Sequence, residues 1–451
     1  MVKIKIIFPV PSNKRYFFIN EHEIYTATMI PAITAFPGAD DIFRVELGNG
    51  IVILCRANFN SPSIVVSGYL TAGSLFDPEE KLGLADFTAT ALMRGADKFN
   101  FNKIFDLLES AGASFAVSGA THSVSFNGKS LAEDLDLLLD ILTEIIQHPT
   151  FPEEQIERLR AQLLTSLAMR SQDTGEMASL AFDRIVYKNH PYSRPEDGYP
   201  ETIQKITRED LELFHRKHIG PQGMVLVIVG AVEPETAAQK VIQKLGEWKN
   251  PKQPEPVKLP PLKPLSEERI ERLQIPGKFQ SDIVLGTPGP ERKSNFFIPA
   301  TIGNNILGRF GMMGRLGDVV RENAGLAYHI SSSLSGGLGP GPWYVSAGVS
   351  PDNVDKTIKL VREEIRRFVS EKVNEEELND SKSNFIGRLP LSLESNAGVA
   401  AAIMNLERYQ LGLNYYREYP ELIQGVTAEH ILEAAQKYLS PEHLAIAVAG
   451  P

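Results

Sequence analysis

The sequence predicts an α+β protein built from two similar halves, each a mainly antiparallel sheet packed with helices. Three observations predict it: an internal repeat, a proline-rich segment between the copies, and runs of strand patterns followed by runs of helix patterns in both halves. Residues 199–230 read YPETIQKITREDLELFHRKHIGPQGMVLVIVG and residues 419–450 read YPELIQGVTAEHILEAAQKYLSPEHLAIAVAG. The two align without a gap at an offset of 220 and share 10 of 32 residues, including Tyr199/Tyr419, Pro200/Pro420, Thr207/Thr427, Pro221/Pro441 and Gly230/Gly450. Each copy carries a threonine suited to cap a helix, Thr207 or Thr427, continues with an amphipathic helix stopped by a proline, and ends in a short apolar run of the buried-strand kind.

The two halves span roughly 40–249 and 266–451. Residues 250–265 lie between them, and six prolines in 251–264 favour an extended polyproline II linker. Residues 1–40 form an N-terminal extension. In the first half, RVELGNGIVILCRAN predicts a hairpin around Gly48-Asn49-Gly50, and IVVSGYLTAGS a further strand. Helix patterns follow near 82–94 and 102–112, a second hairpin in SFAVSGATHSVSFNG, and long helices near 130–147, 152–170 and 175–187. The second half repeats the order, with AYHISSSLSGG and WYVSAGVS as strands and helices near 353–369, 374–389 and 395–411.

Composition narrows the function classes. A chain of 451 residues exceeds what one core serves, so more than one domain is expected. A formal net charge of −10 argues against a general nucleic-acid binder. The single cysteine, Cys55, excludes an intrachain disulfide and reads as a buried small hydrophobe in IVILC. No apolar run reaches the ~18–20 residues that span a bilayer. The N-terminal stretch MVKIKIIFPVPSNKRYFF, broken by Pro9 and Pro11, reads as a strand or tail and not a signal peptide. The expected location is therefore cytoplasmic.

One stretch carries a specific resemblance. GSLFDPEEKLGLADFTATALMRG, residues 73–95, has the frame G-S-x(8)-G-L-A-x-F. Together with the duplicated halves and the linker, it resembles the pitrilysin / mitochondrial processing peptidase family over about 40–450. Active members of these inverzincins carry H-x-x-E-H. Two histidines at i and i+4 share one helix face and one metal, and the glutamate between them activates the metal-bound water. The resemblance places that motif on Asp86, Ala89 and Thr90, with Ser166 in IERLRAQLLTSL at the remaining ligand position. It implies a degenerate zinc site: neither alanine nor threonine can replace what the motif needs. Read from its residues alone, the helix is structural, with Leu84, Phe87, Ala91 and Leu92 as its apolar stripe and Asp77-Pro78 as its start.

Other candidates are weaker. His215 and His218 lie three apart with no carboxylate base between them, and a solvated helix end is expected there. His190 in NHPYSRP reads as a structural turn. SGGLGPGPW, residues 335–343, lacks the Gly-Lys-Ser/Thr ending of a phosphate loop and reads as a hairpin loop.

In the second half, REN-AGLAY places Arg321 and Tyr328 seven residues apart. The resemblance implies that this pair reaches toward a zinc site and holds substrate backbone. Arg supplies fixed donors for a peptide carbonyl, and Tyr a hydroxyl for developing negative charge. The residues themselves leave a structural reading open, with Arg321 offsetting a helix dipole and Tyr328 beginning a strand. The expectation is a non-catalytic, substrate-positioning subunit with no cofactor of its own, paired with a zinc-bearing H-x-x-E-H chain and acting on peptides. A homodimer stays open when that partner is missing. Two alternatives stand beside it: a structural, core-type subunit of a larger complex, and a self-sufficient hydrolase with an unrecognised site.

Overall fold

The computed structural model describes residues 36–312 and 314–451, and in the N-terminal segment only four two-residue strands. Of these, β1 (Pro9–Val10) pairs with β2 (Asn13–Lys14), and β3 (Phe17–Phe18) with β4 (Ile24–Tyr25). Most of the expected extension, residues 1–40, thus lies outside the described residues.

The first half begins with a hairpin of β5 (Phe43–Glu46) and β6 (Val52–Ala57), turned at Gly50 with φ +90°. Its loop is held from outside. The Asn49 amide donates to the carbonyls of Leu245 (2.9 Å), Gly246 (3.2 Å) and Trp248 (3.1 Å), at the end of α8 (Pro234–Leu245). β7 (Ser63–Leu70), β8 (Ser114–Gly119), β9 (Val124–Leu131) and β10 (Val225–Gly230) complete a six-stranded sheet of order β5-β6-β10-β7-β9-β8. The second half forms a five-stranded sheet, β11-β15-β12-β14-β13, from β11 (Arg269–Gln274), β12 (Ser281–Pro288), β13 (Ala327–Gly336), β14 (Pro340–Val349) and β15 (Ala445–Gly450).

The repeat explains the shared topology. In each half the last strand inserts into the middle of the sheet, β10 between β6 and β7 and β15 between β11 and β12, parallel to the first neighbour and antiparallel to the second. Every residue of both strands is buried. A strand covered on both faces reads as a continuous apolar run, which is what VLVIVG and AIAVAG are.

One face of the first sheet carries α1 (Leu84–Ala91), α2 (Phe101–Ser110), α3 (Leu135–Gln147), α4 (Glu153–Arg170), α7 (Arg208–His218) and α8. The four-residue α6 (Pro200–Ile203) leads into α7. The second sheet carries α9 (Phe297–Gly308), α10 (Gly314–Leu316), α11 (Val354–Ser370), α12 (Glu375–Ser392), α14 (Tyr415–Gln424) and α15 (Ala428–Tyr438). Cys55 is fully buried in the first core. The helix expected over 130–147 starts later, at Leu135, because residues 130 and 131 continue β9 and 132–134 form a 3-10 turn.

The other face of each sheet is covered by a helix from the opposite half. α5 (Thr174–Val186) packs Ala178, Ala181, Phe182, Ile185 and Val186 against Val284, Ala445, Ala447 and Ala449. α13 (Asn396–Arg408) packs Val399, Ala400, Ile403 and Leu406 against Val65, Val225, Val227 and Val229. Polar latches at the helix starts match. The Thr174 hydroxyl donates to the Asp282 carboxylate at the start of β12 (2.5 Å), and the Asn396 amide to the Ser63 carbonyl at the start of β7 (3.1 Å). Arg184–Glu271 at 2.5 Å and Glu407–Arg44 at 2.8 Å tie the two helices to the sheets with reversed charge.

Among the described residues no helix is long and apolar enough to cross a membrane.

Because α5 closes the second sheet from the first half, Phe182→Ala should cost about 3–5 kcal/mol and leave one cooperative transition. Urea denaturation followed by far-ultraviolet circular dichroism and by tryptophan fluorescence checks this; two separated transitions would show that the halves are independent.

Candidate functional site

The 73–95 frame folds into a tightly fastened turn and helix. Ser74 and Leu75 donate their N–H groups to the carbonyls of Ala120 and Thr121 (both 3.1 Å), which ties the turn to the β8–β9 hairpin. A Cβ on Gly73 would lie 2.3 Å from the Thr121 oxygen, so no other residue fits without movement. Gly83 sits at φ +92°, and the helix starts there. Asp77 is 3% exposed, and its two carboxylate oxygens accept from the N–H groups of Gly83 and Ala85, each at 2.9 Å. These are donors that the first turn of α1 cannot satisfy internally. Burial outweighs those bonds and pushes the Asp77 carboxyl up to about 7. Leu84, Phe87, Ala91 and Leu92 are buried, as the apolar stripe predicts.

The four positions of the expected zinc set do not form a donor set. Ala89 is fully buried and has no donor. The Thr90 hydroxyl donates back into its own helix, to the carbonyls of Asp86 (2.9 Å) and Phe87 (3.1 Å). Asp86 accepts from the Gly119 N–H at 3.1 Å, and a Cβ on Gly119 would lie 2.5 Å from the Asp86 Cα. Ser166 is exposed on α4. One carboxylate and two back-turned or distant hydroxyls do not fit zinc, which takes nitrogen, sulfur or several carboxylate ligands. Among the described residues, no three His, Cys, Asp or Glu side chains are grouped to hold a metal.

Asp86 does open onto a cavity of about 350 Å³, lined also by Thr121, Arg170, Asp183, Tyr192 and Glu196. Burial pushes Asp86 up to about 6, against the Gly119 hydrogen bond, and Asp197 and Glu196 add to the rise. Arg170 is bound to Asp197 and donates to the Gly198 carbonyl at 2.8 Å. Asp183, on α5, is half-buried, and burial pushes it up to about 7. Nothing in the sequence singles out Asp183, because a lone carboxylate at a polar helix position looks like a solvated one.

Arg321 and Tyr328 lie elsewhere. Arg321 belongs to a π-helical turn, Gly317–Asn323, and Tyr328 is the second residue of β13, the edge strand of the second sheet. The turn between them is closed by Gly325 at φ +62°, whose N–H donates to the Arg321 carbonyl at 3.0 Å. Tyr328 is 64% exposed, and the Arg321 guanidinium lies 3.9 Å from the Glu322 carboxylate. The described lining of the Asp86 cavity includes neither residue.

The histidine expectation needs correcting. His215 and His218 do not form a solvated helix end. His218 is 7% exposed, with its ring 4.5 Å from that of Phe76 and 4.6 Å from that of Phe214, and burial pushes it down to about 4. His215 Nε2 donates to the Ile146 carbonyl at 2.8 Å, and burial lowers it as well. The end of α7 is drawn into the first core, where His218 packs between Phe214 of the same helix and Phe76. His190 is a structural residue: its Nδ1 accepts from the Tyr192 N–H at 3.1 Å and caps the 191–193 turn. Residues 335–343 include the loop of the β13–β14 hairpin, as expected.

Comparison with known proteins places this architecture. Residues 52–196 match the family model "Insulinase (Peptidase family M16)", and residues 205–385 match "Peptidase M16 inactive domain". The chain is 25% identical over 377 residues to an "uncharacterized zinc protease" of Streptomyces coelicolor, covering 82% of this chain and 80% of that one. It is 24% identical over 380 residues to a "non-peptidase homolog" of Helicobacter pylori, covering 83% and 86%. Among solved structures, a peptidase M16 inactive domain protein from Pseudomonas fluorescens superposes with a TM-score of 0.84 at 25% identity, covering 91% of this chain and 98% of that one. A protease from Helicobacter pylori gives the same TM-score at 18% identity, covering 92% and 100%, a likeness of fold.

Two measurements test the local chemistry. Asp77→Ala leaves two buried N–H groups without acceptors and should lower stability by about 1–3 kcal/mol in urea denaturation. Asp183 is raised above its unfolded value, so its contribution is complete below about pH 4 and is lost as pH rises through about 7. Asp183→Asn should remove that loss, of order 2–4 kcal/mol, and flatten the melting temperature between pH 5 and 8.

Proposed function

Because the chain belongs to the M16 peptidase family, we propose that it is a non-catalytic subunit of a zinc metalloendopeptidase that acts on peptides or unfolded protein segments. The observation that carries this reading is the state of α1. Its frame is fully kept, with Gly73, Asp77 and Gly83 in fitted roles, while Ala89 and Thr90 supply no metal donor and no base. The fold that would present a zinc site is intact and the chemistry is not. The helicobacterial relative described as a non-peptidase homolog supports the same reading.

The zinc and the glutamate base then belong to a partner chain with an intact H-x-x-E-H. This chain supplies Arg321 and Tyr328 from the edge of its second sheet. An exposed edge strand can take a peptide as an added strand, through main-chain hydrogen bonds that tolerate many sequences. The guanidinium then holds a substrate carbonyl, and the phenol donates to charge developing near the scissile bond. The π-helical turn and Gly325 set the angle at which Arg321 leaves the sheet end.

The test is zinc content and peptide hydrolysis by the purified chain, alone and mixed with a zinc-bearing H-x-x-E-H family member from the same genome. Activity in the mixture alone, falling about 10–100-fold in kcat/KM with Arg321→Ala or Tyr328→Phe, is expected. Equal activity of those variants assigns the chain a structural role only. Turnover or stoichiometric zinc in the single chain overturns the reading.

A further inference from the structure

A second cavity, of about 400 Å³, lies on the seam between the halves and shares Thr121, Asp183 and Tyr192 with the cavity at Asp86. Its walls come from three places. α5 provides Phe182 and Asp183, the turns on the first half provide His122 and Tyr192, and the second half provides Tyr344 and the glycine-rich hairpin loop. The rings are packed in pairs, with Phe182 and Tyr344 centred 5.7 Å apart and Tyr187 and Tyr192 5.4 Å apart. The Tyr187 hydroxyl donates to the Pro340 carbonyl at 3.0 Å and joins the two halves. A Cβ on Gly339 would lie 2.5 Å from the Tyr192 oxygen, so only glycine lets the hairpin backbone come this close.

The cavity has a carboxylate and, among the described residues, no cation paired with it. Asp183 has no hydrogen-bond or ion-pair partner among the described residues. His122 lines the same cavity, with Nε2 2.5 Å from the Tyr192 hydroxyl, but burial, with the charges of Arg408 and His190 adding to it, pushes it down to about 4. It is therefore neutral at physiological pH. The two arginines of the adjoining cavity are engaged, Arg170 with Asp197 and the Gly198 carbonyl, and Arg194 with Glu79 at 3.6 Å. The remaining charges there, Asp86, Glu176 and Glu196, are acidic. A half-buried carboxylate among aromatic faces, with neutral or acidic neighbours, has no counter-charge among the described residues.

We propose that this seam cavity binds an alkylammonium or guanidinium group, with Asp183 as its counter-ion and Phe182, Tyr187, Tyr192 and Tyr344 as aromatic walls. Aromatic faces attract such cations, most strongly where water is excluded. The volume lies within the range of small-ligand sites and suits a group on a slim aliphatic stem. A free polyamine and a lysine or arginine side chain on a peptide present the same chemistry. The proposal does not rest on the subunit reading and needs no partner chain.

The test is calorimetric titration of the full chain at pH 8 with spermidine and, separately, with N-acetyl-lysine methylamide and N-acetyl-arginine methylamide. N-acetyl-norleucine methylamide serves as the uncharged control. Binding of at least one cation, no binding of the control, and an affinity loss of about tenfold or more in Asp183→Asn are expected. Tyr344→Leu should weaken binding by a smaller factor. Binding of spermidine alone identifies a polyamine site, and binding of the amino-acid amides alone a peptide side-chain site. Asp183→Asn keeps the shape of the side chain, and its fold is checked by circular dichroism. No binding of any cation up to about 10 mM, equal binding of the norleucine amide, or unchanged affinity in a folded Asp183→Asn chain overturns the proposal.

Discussion

The structure depends on a reciprocal exchange of helices. Each sheet has a central strand, β10 or β15, that is apolar on both faces, so each sheet needs cover on two sides. The helices of its own half cover one side. α5 and α13 cover the other, each on the sheet of the opposite half. Small residues make the contact close: Ala178 and Ala181 meet Ala445, Ala447 and Ala449. Neither half completes its core alone, and the linker is not the only connection between them. The burial of α5 and α13 sets the relation of the halves far more firmly than a polyproline segment could.

The seam cavities follow from this exchange. Because α5 crosses to the second sheet, its polar edge carries Glu176 and Asp183 into the space between the halves, while Phe182 turns into the apolar contact. The same crossing brings Tyr187 and Tyr192 to the glycine-rich hairpin. A site of this kind is built from residues whose backbone positions are set by packing elsewhere. Its geometry is therefore held by the core and not by the site's own weak polar contacts.

The α1 frame is held by local folding needs. Gly73, Asp77 and Gly83 each answer a local need: a close approach to Thr121, two orphan N–H groups, and a left-handed residue. None of these depends on a metal. Changing Asp86, Ala89 or Thr90 leaves them untouched, since Thr90 bonds within the helix and Ala89 packs as a methyl. The roles these three residues fill are thus folding roles, separable from metal binding.

Much was legible in the sequence because it is local. The repeat, the threonine caps, the buried central strands, the apolar stripe of α1, the hairpin at 335–343 and the burial of Cys55 all come from neighbouring residues and their periodicity. Periodicity says that a helix has an apolar face; it does not say which sheet that face will meet. The crossing of α5 and α13, the burial of His215 and His218 among phenylalanines, and the isolation of Asp183 were decided by contacts between residues far apart in the chain. The sequence by itself determined two repeated α+β halves and an α1 that carries Asp86, Ala89 and Thr90 on an apolar-striped helix. Only the tertiary structure decided how the halves close on each other and where the Asp183 carboxyl is left half-buried between them, because burial belongs to the packed chain and not to any segment of it.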